Sequence, residues 1–218
     1  MIYTTLTSYL KKANILLVFA FLVSSFLYSQ TVTVPSGSVI IDMGVSPQTY
    51  DNSIKPYGLV YAILTDHTTP VIWSINPSKA KDGIDFTVDS RNFKGGPFII
   101  SEEYITSALL TEINTWEAKG VVTYTTLTDV DVPFNSELLY DISWTINTKN
   151  SNLATDYLEY ADIPSDAYSF GLPVELGECD DIFVMPHADP TWEDHGILYD
   201  WIDQYDAVSN PKGNTGWF

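Results

Sequence analysis

The order of strand and helix signals in this 218-residue chain predicts a three-layer, flavodoxin-like α/β fold built on a parallel sheet. Three observations predict it. Short apolar runs at 39–43, 70–75, 121–126 and 181–185 are rich in Val, Ile and aromatic residues, as buried strands are. Helical stretches of roughly 10–15 residues alternate with them. The best-signalled of these, over 101–120, is hard to place in an all-β sandwich, which is the alternative architecture for a secreted module.

The elements follow in order. Residues 31–37 form an extended leader, and the run 39–43 ends at Gly44 as a first strand. Asn52-Ser53 can cap a helix over about 54–66, with Pro56 in its first turn, where a missing N–H is harmless. Leu59, Val60, Ile63 and Leu64 then share a face. A strand at 70–75 precedes a charged, Gly-containing stretch. Residues 85–89 and 91–100 make a hairpin broken at Gly95-Gly96-Pro97. Ser101 caps the central helix, and Glu102 and Glu103 in its first turn complement the dipole. Ile105, Leu109, Ile113 and Trp116 form its stripe, and Lys119-Gly120 closes it. Strands follow at 121–126 and 138–147, a short helix at 153–161, a strand at 181–185 ended by Pro186, and a last helix over 195–208.

Lys11 and Lys12 are the only charged residues before Asp42, and the apolar run 15–27 follows them. A basic start, a short apolar core and a small residue at the exit are the marks of a secretory signal peptide. The run is shorter than the roughly 20 residues of a spanning helix. Cleavage is expected after Ser29, giving residues 1–29 as signal, 30–37 as leader and 38–218 as the α/β domain, incomplete at its carboxyl end. Removing the two lysines takes the net charge from −18 to −20. Such a balance excludes nucleic acid and anionic lipid surfaces as partners, because phosphate contacts need clustered Lys and Arg. A single Cys excludes an intramolecular disulfide framework. The expected location is extracellular or at the cell surface.

The chemistry is concentrated near the carboxyl end. Between Lys149 and Lys212 there is no Lys or Arg, and that stretch holds fourteen acids, nine of them within 178–206. Two of the three histidines, His187 and His195, lie there as well. In open α/β sheets the carboxyl ends of strands line the binding crevice. The strand at 181–185 therefore delivers a candidate crevice loop of His187, Asp189, Trp192, Asp194 and His195. Asp180, Asp181, His187 and Asp189 are the candidate ligands of a divalent cation such as calcium. The spacing matches no established metal signature. The plainer reading makes Asp189 a turn cap, His187 a backbone partner and Trp192 a core residue. Cys179, flanked by Glu178 and Asp180, lacks the electropositive setting of a catalytic thiol. Glu102 and Glu103 are adjacent on a helix and do not face each other. Trp73, Trp116, Trp144 and Trp201 fall in apolar stripes, whereas Tyr157, Tyr160 and Tyr168 are candidates for stacking on sugar.

Three passages carry a family resemblance: Lys55-Pro56-Tyr57-Gly58-Leu59-Val60-Tyr61, Lys94-Gly95-Gly96-Pro97-Phe98-Ile99-Ile100, and residues 179–192 with His195-Gly196-Ile197-Leu198-Tyr199-Asp200-Trp201. Together they resemble the amino-terminal region of large surface proteins exported by gliding bacteria through type IX secretion. The resemblance implies export, a surface location and further domains downstream. A more distant resemblance, on Ile182-Phe183-Val184-Met185-Pro186, is to the class I glutamine-amidotransferase-like fold. There glycines stand where this chain has His187-Ala188, and the nucleophile elbow would lie beyond residue 218. The expected function is binding, adhesion or scaffolding without a complete active site. The alternatives are a hydrolase or amidotransferase-like enzyme completed beyond residue 218, and a cation-stabilised surface module. A carbohydrate or a protein is the expected ligand.

Overall fold

A computed structural model describes residues 30–140, 142–178, 180–186 and 215–217 of the chain. Thr31–Val34 forms β1 and Val39–Ile41 forms β2. Alternation along β2 sends Val39 and Ile41 to one side of the sheet and Ile40 to the other, yet all three are buried. The sheet containing β2 is therefore covered on both faces.

One cover is helical. Thr49 caps a single turn, α1 (Tyr50–Ser53), in a reciprocal box with Asn52. The cap thus lies one turn ahead of the expected Asn52-Ser53, and Asn52 serves as the third residue of the box. The main helix α2 (Lys55–Asp66) follows with Pro56 in its first turn, and β3 (Val71–Trp73) comes next. The hairpin β4 (Ile84–Val88) and β5 (Arg91–Lys94) leads into β6 (Phe98–Ile100). Ser101 makes no side-chain cap. Glu102–Tyr104 is a 3-10 turn, Ile105 is extended, and Thr106 caps α3 (Ser107–Ala118) by accepting from the Leu109 amide. Then come β7 (Thr123–Thr125), β8 (Val130–Pro133) and β9 (Ser136–Leu138).

The principal sheet has five strands in the order β7-β2-β6-β3-β9, and every neighbouring pair is antiparallel. β2 and β3 run in the same direction, joined through α2, but β6 lies between them in the opposite sense. β6 and β7 repeat the pattern through α3, with β2 between them. This is a split β-α-β arrangement with an added edge strand. Val39, Ile41, Phe98 and Ile100 pack with Leu59, Ile63, Leu109, Ile113 and Trp116 of the two helices. Ile40 and Ile99 pack on the opposite face with Phe86, Val88 and Phe93 of the hairpin and with Val34 and Val132. Residues 31–34, expected as a leader, pair with β8 and cover part of this second face.

The expectation of a flavodoxin-like, amidotransferase-like parallel sheet is therefore overturned. The molecule is mixed α/β with mostly antiparallel sheets. Apolar runs such as Val39-Ile40-Ile41 and Phe98-Ile99-Ile100 imitate parallel strands because both faces are covered, here by helices on one side and a hairpin on the other. The split arrangement also produces the same strand–helix alternation in sequence as a parallel fold.

Parallel pairing is confined to one small sheet. β10 (Trp144–Asn147) is followed by α4 (Asn152–Tyr160), β11 (Tyr168–Gly171), a 3-10 turn at Pro173–Glu175, β12 (Ile182–Val184) and β13 (Thr215–Trp217). The strand order is β11-β10-β12-β13, all parallel. The expected single strand over 138–147 is thus two strands in two different sheets. The expected helix at 195–208 lies outside the described residues.

Candidate functional site

The small sheet is fastened to the helical face of the large one by contacts that no short-range pattern announces. Gly58, on α2, sits against the turn after α4. A Cβ at this position would stand 1.7 Å from the Ala161 carbonyl oxygen and 2.6 Å from the Trp116 ring. Only glycine permits this approach. Beside it, Lys55 and Lys119 each place Nζ 3.0 Å from an Asp162 carboxylate oxygen. Burial alone would raise the Asp162 pKa. Hydrogen bonds from Lys55 and Lys119, together with their charges, outweigh that effect and hold it below the ordinary carboxylate value. Tyr61 of α2 approaches Trp144 of β10, with ring centroids 5.6 Å apart.

A cleft of about 430 Å³ opens at this junction, between α2, α3 and residues 162–166. Tyr61, Asp66, Glu112, Trp116 and Asp166 line it together with Asp162. Trp116 is buried and donates its Nε1–H to Glu112 Oε1 at 2.7 Å, while Lys119 Nζ lies 4.1 Å from its ring. The Trp116 face is therefore taken, and Asp66, Asp166 and Tyr61 are the groups that give the cleft its character. No group of three or more His, Cys, Asp or Glu among the described residues converges as a metal site.

Two residues before Asp162, Tyr160 stacks on Tyr50 of α1, with centroids 5.0 Å apart and planes 10° from parallel. Both rings are open to solvent, Tyr50 at 65% and Tyr160 at 52% of full exposure. Tyr157, three residues earlier on the same helix face, is 64% exposed. The three rings form an exposed aromatic face, and the chain leads from Tyr160 directly into the cleft at Asp162. Of the three tyrosines singled out from the sequence, Tyr157 and Tyr160 belong to this face. Tyr168 lies on β11 with its ring edge-on to Phe170. Tyr50 carries no local signal. Its place on this face appears only when α1 and α4 are brought together.

Asp180 and Asp181 have structural partners. Asp181 is buried and accepts from the Ser143 amide at 3.0 Å and the Ser143 hydroxyl at 2.9 Å. Asp180 accepts from the Gly177 amide at 2.8 Å and from the Thr145 hydroxyl. Both lie at the start of β12 and tie it to β10. His187, Asp189, Trp192, Asp194 and His195, as well as Cys179, lie outside the described residues. What is described of the expected crevice is its frame. Chain order reverses between β10 and β12, and Asn147 and Met185, both buried, stand at the carboxyl ends of those strands.

Comparison with protein-family models, curated proteins and solved structures returned no match. The reading of the site rests on its own geometry. No helix among the described residues is long and apolar enough to cross a membrane.

Proposed function

We propose that this chain belongs to an exported or cell-surface protein and plays a binding or adhesion role there. The ligand is a neutral, hydroxyl-rich molecule, a carbohydrate, held on the tyrosine face and in the adjoining cleft. The observation that carries this reading is the exposed, stacked Tyr50–Tyr160 pair beside a carboxylate-lined cleft. Flat aromatic rings offer an apolar face of low conformational cost, and carboxylate oxygens accept hydrogen bonds from hydroxyl groups. A net charge of −18 disfavours polyanionic partners. The basic start and short apolar core of residues 1–29 support export.

Binding of the chain to an array of neutral glycans tests the reading, with the double variant Tyr50→Ala/Tyr160→Ala as comparison. Loss of recognition with an unchanged melting temperature supports it. Equal recognition by both proteins refutes it.

A hydrolase-like role rests on a different observation, the reversal of strand order between β10 and β12. That reversal sets a crevice at their carboxyl ends, and His187 and Asp189 follow β12 in sequence. In a longer protein with measurable activity, His187→Ala should abolish turnover on this reading. Unchanged turnover would remove it.

A further inference from the structure

We infer that a second cavity, where the chain leaves β5 at Lys94 and Gly95, is a site for a small organic carboxylate or phosphate. It is an open hollow of about 320 Å³ between the loop after β2 and the end of β5. That is the size of a site for a small metabolite. Two glycines create it. A Cβ at Gly44 would stand 2.7 Å from Lys94 Cβ, and one at Gly95, whose φ is +77°, would stand 2.9 Å from the Met43 carbonyl oxygen. The two loops therefore touch backbone to backbone and leave a hollow beside the contact.

In so acidic a chain the lining is unexpected. Lys79 and Lys94 both border the cavity, and Asp82 is the single carboxylate there. Lys79 Nζ is fixed in the wall at 2.5 Å from Asp85 Oδ2, a buried carboxylate that also accepts from the Asn76 amide at 2.8 Å and the Gly96 amide at 2.9 Å. Asp85 is thus neutralised by its own partners. Lys94 makes no ion pair with any described residue, whereas Lys55, Lys79, Arg91 and Lys119 all do. An exposed Ser46 hydroxyl adds a donor, and Met43 and Val45 add apolar wall. A free ammonium, a hydroxyl and an apolar wall suit an oxyanion carried on a short carbon frame.

The site is separate from the tyrosine face, and its ligand has the opposite electrostatic character, so the two readings stand or fall independently. The test is calorimetric titration of the secreted chain with succinate and, in a second arm, with inorganic phosphate, at matched ionic strength. The expected result is saturable binding in at least one arm with Kd below about 10 mM. Lys94→Gln should weaken it about tenfold, the scale of one charge-assisted hydrogen bond. Lys94→Arg should retain it, and the nearby surface change Lys81→Gln should leave it unaltered. The arm that responds identifies the oxyanion. No saturable binding in either arm overturns the inference. So does equal weakening by Lys94→Gln and Lys81→Gln, which would reduce the effect to bulk charge.

Discussion

Replacing Gly58 by Ala tests how the two sheets are joined. Within a helix, Ala is favoured over Gly by about 1 kcal/mol. At Gly58 the new methyl would meet the Ala161 carbonyl oxygen at 1.7 Å and the Trp116 ring at 2.6 Å. The closest atom is backbone, so no rotamer change relieves the clash. The turn 161–163 must withdraw from α2, which also stretches the Lys55 and Lys119 contacts to Asp162. Overpacking of this kind costs about 1–3 kcal/mol, and an obstruction by backbone belongs at the upper end. The net expectation is a loss of about 2 kcal/mol, and for a domain of this size roughly 2–4 °C of Tm accompanies each kcal/mol. Thermal unfolding followed by circular dichroism should therefore show a fall of about 4–8 °C. A Tm equal to or above that of the parent would mean that helix propensity governs this position and that the close approach of α2 to residue 161 is not a constraint.

Other expectations concern charge and core. The Asp162 pKa is depressed by its two lysines, so its contribution to stability is present above the unfolded carboxylate value, about 3.9, and is lost as pH falls through the lower folded value. Asp162→Asn should lower Tm at pH 7, and the gap from the parent should close as pH is taken below about 4; a gap that persists at pH 2.5 would contradict the pairing. Asp85→Ala removes the acceptor for two amides and one ammonium inside the protein, and should cost about 3 kcal/mol in denaturant unfolding. A loss below about 0.5 kcal/mol, the scale of a surface change, would show that water replaces the carboxylate without penalty. Ile99→Ala, at the centre of the sheet face under the hairpin, should cost about 2–5 kcal/mol in the same assay. A much smaller loss would mean that the hairpin does not close that face.

The sequence located most elements because their signals are local. Pro56 and the Leu59, Val60, Ile63, Leu64 stripe mark α2, and Gly120, at φ +102°, marks the end of α3. Pairing direction was not legible. The continuous apolar run Phe98-Ile99-Ile100 is equally suited to a parallel strand or to an antiparallel strand buried on both faces, and only the hairpin folding back over Ile99 decides between them. The start of α3 shifted because Ser101 and Thr106 are both competent caps. The Ser38 hydroxyl, accepting from the Glu102 amide at 2.9 Å, helps hold that segment in a separate turn. The site was half legible. Tyr157 and Tyr160 are visible as a polar-aromatic helix face. Tyr50, which stacks on Tyr160, is about a hundred residues away, and the pairing of Arg91 with Asp42 is likewise a product of tertiary structure. Asp180 and Asp181 suggested a metal from their acidity alone, and the structure shows hydroxyl and amide partners that sequence spacing does not reveal.

The central claim is that the tyrosine face beside the cleft is where this protein meets its ligand. The most direct measurement is the affinity of the chain for neutral polysaccharide, parent against Tyr50→Ala/Tyr160→Ala, with Tyr168→Ala as a control on a ring outside that face. The account predicts binding by the parent and the control and a loss of at least tenfold in the double variant, the scale expected when interface aromatics are truncated. Binding unchanged in the double variant, or absent from the parent across neutral polysaccharides, would contradict it.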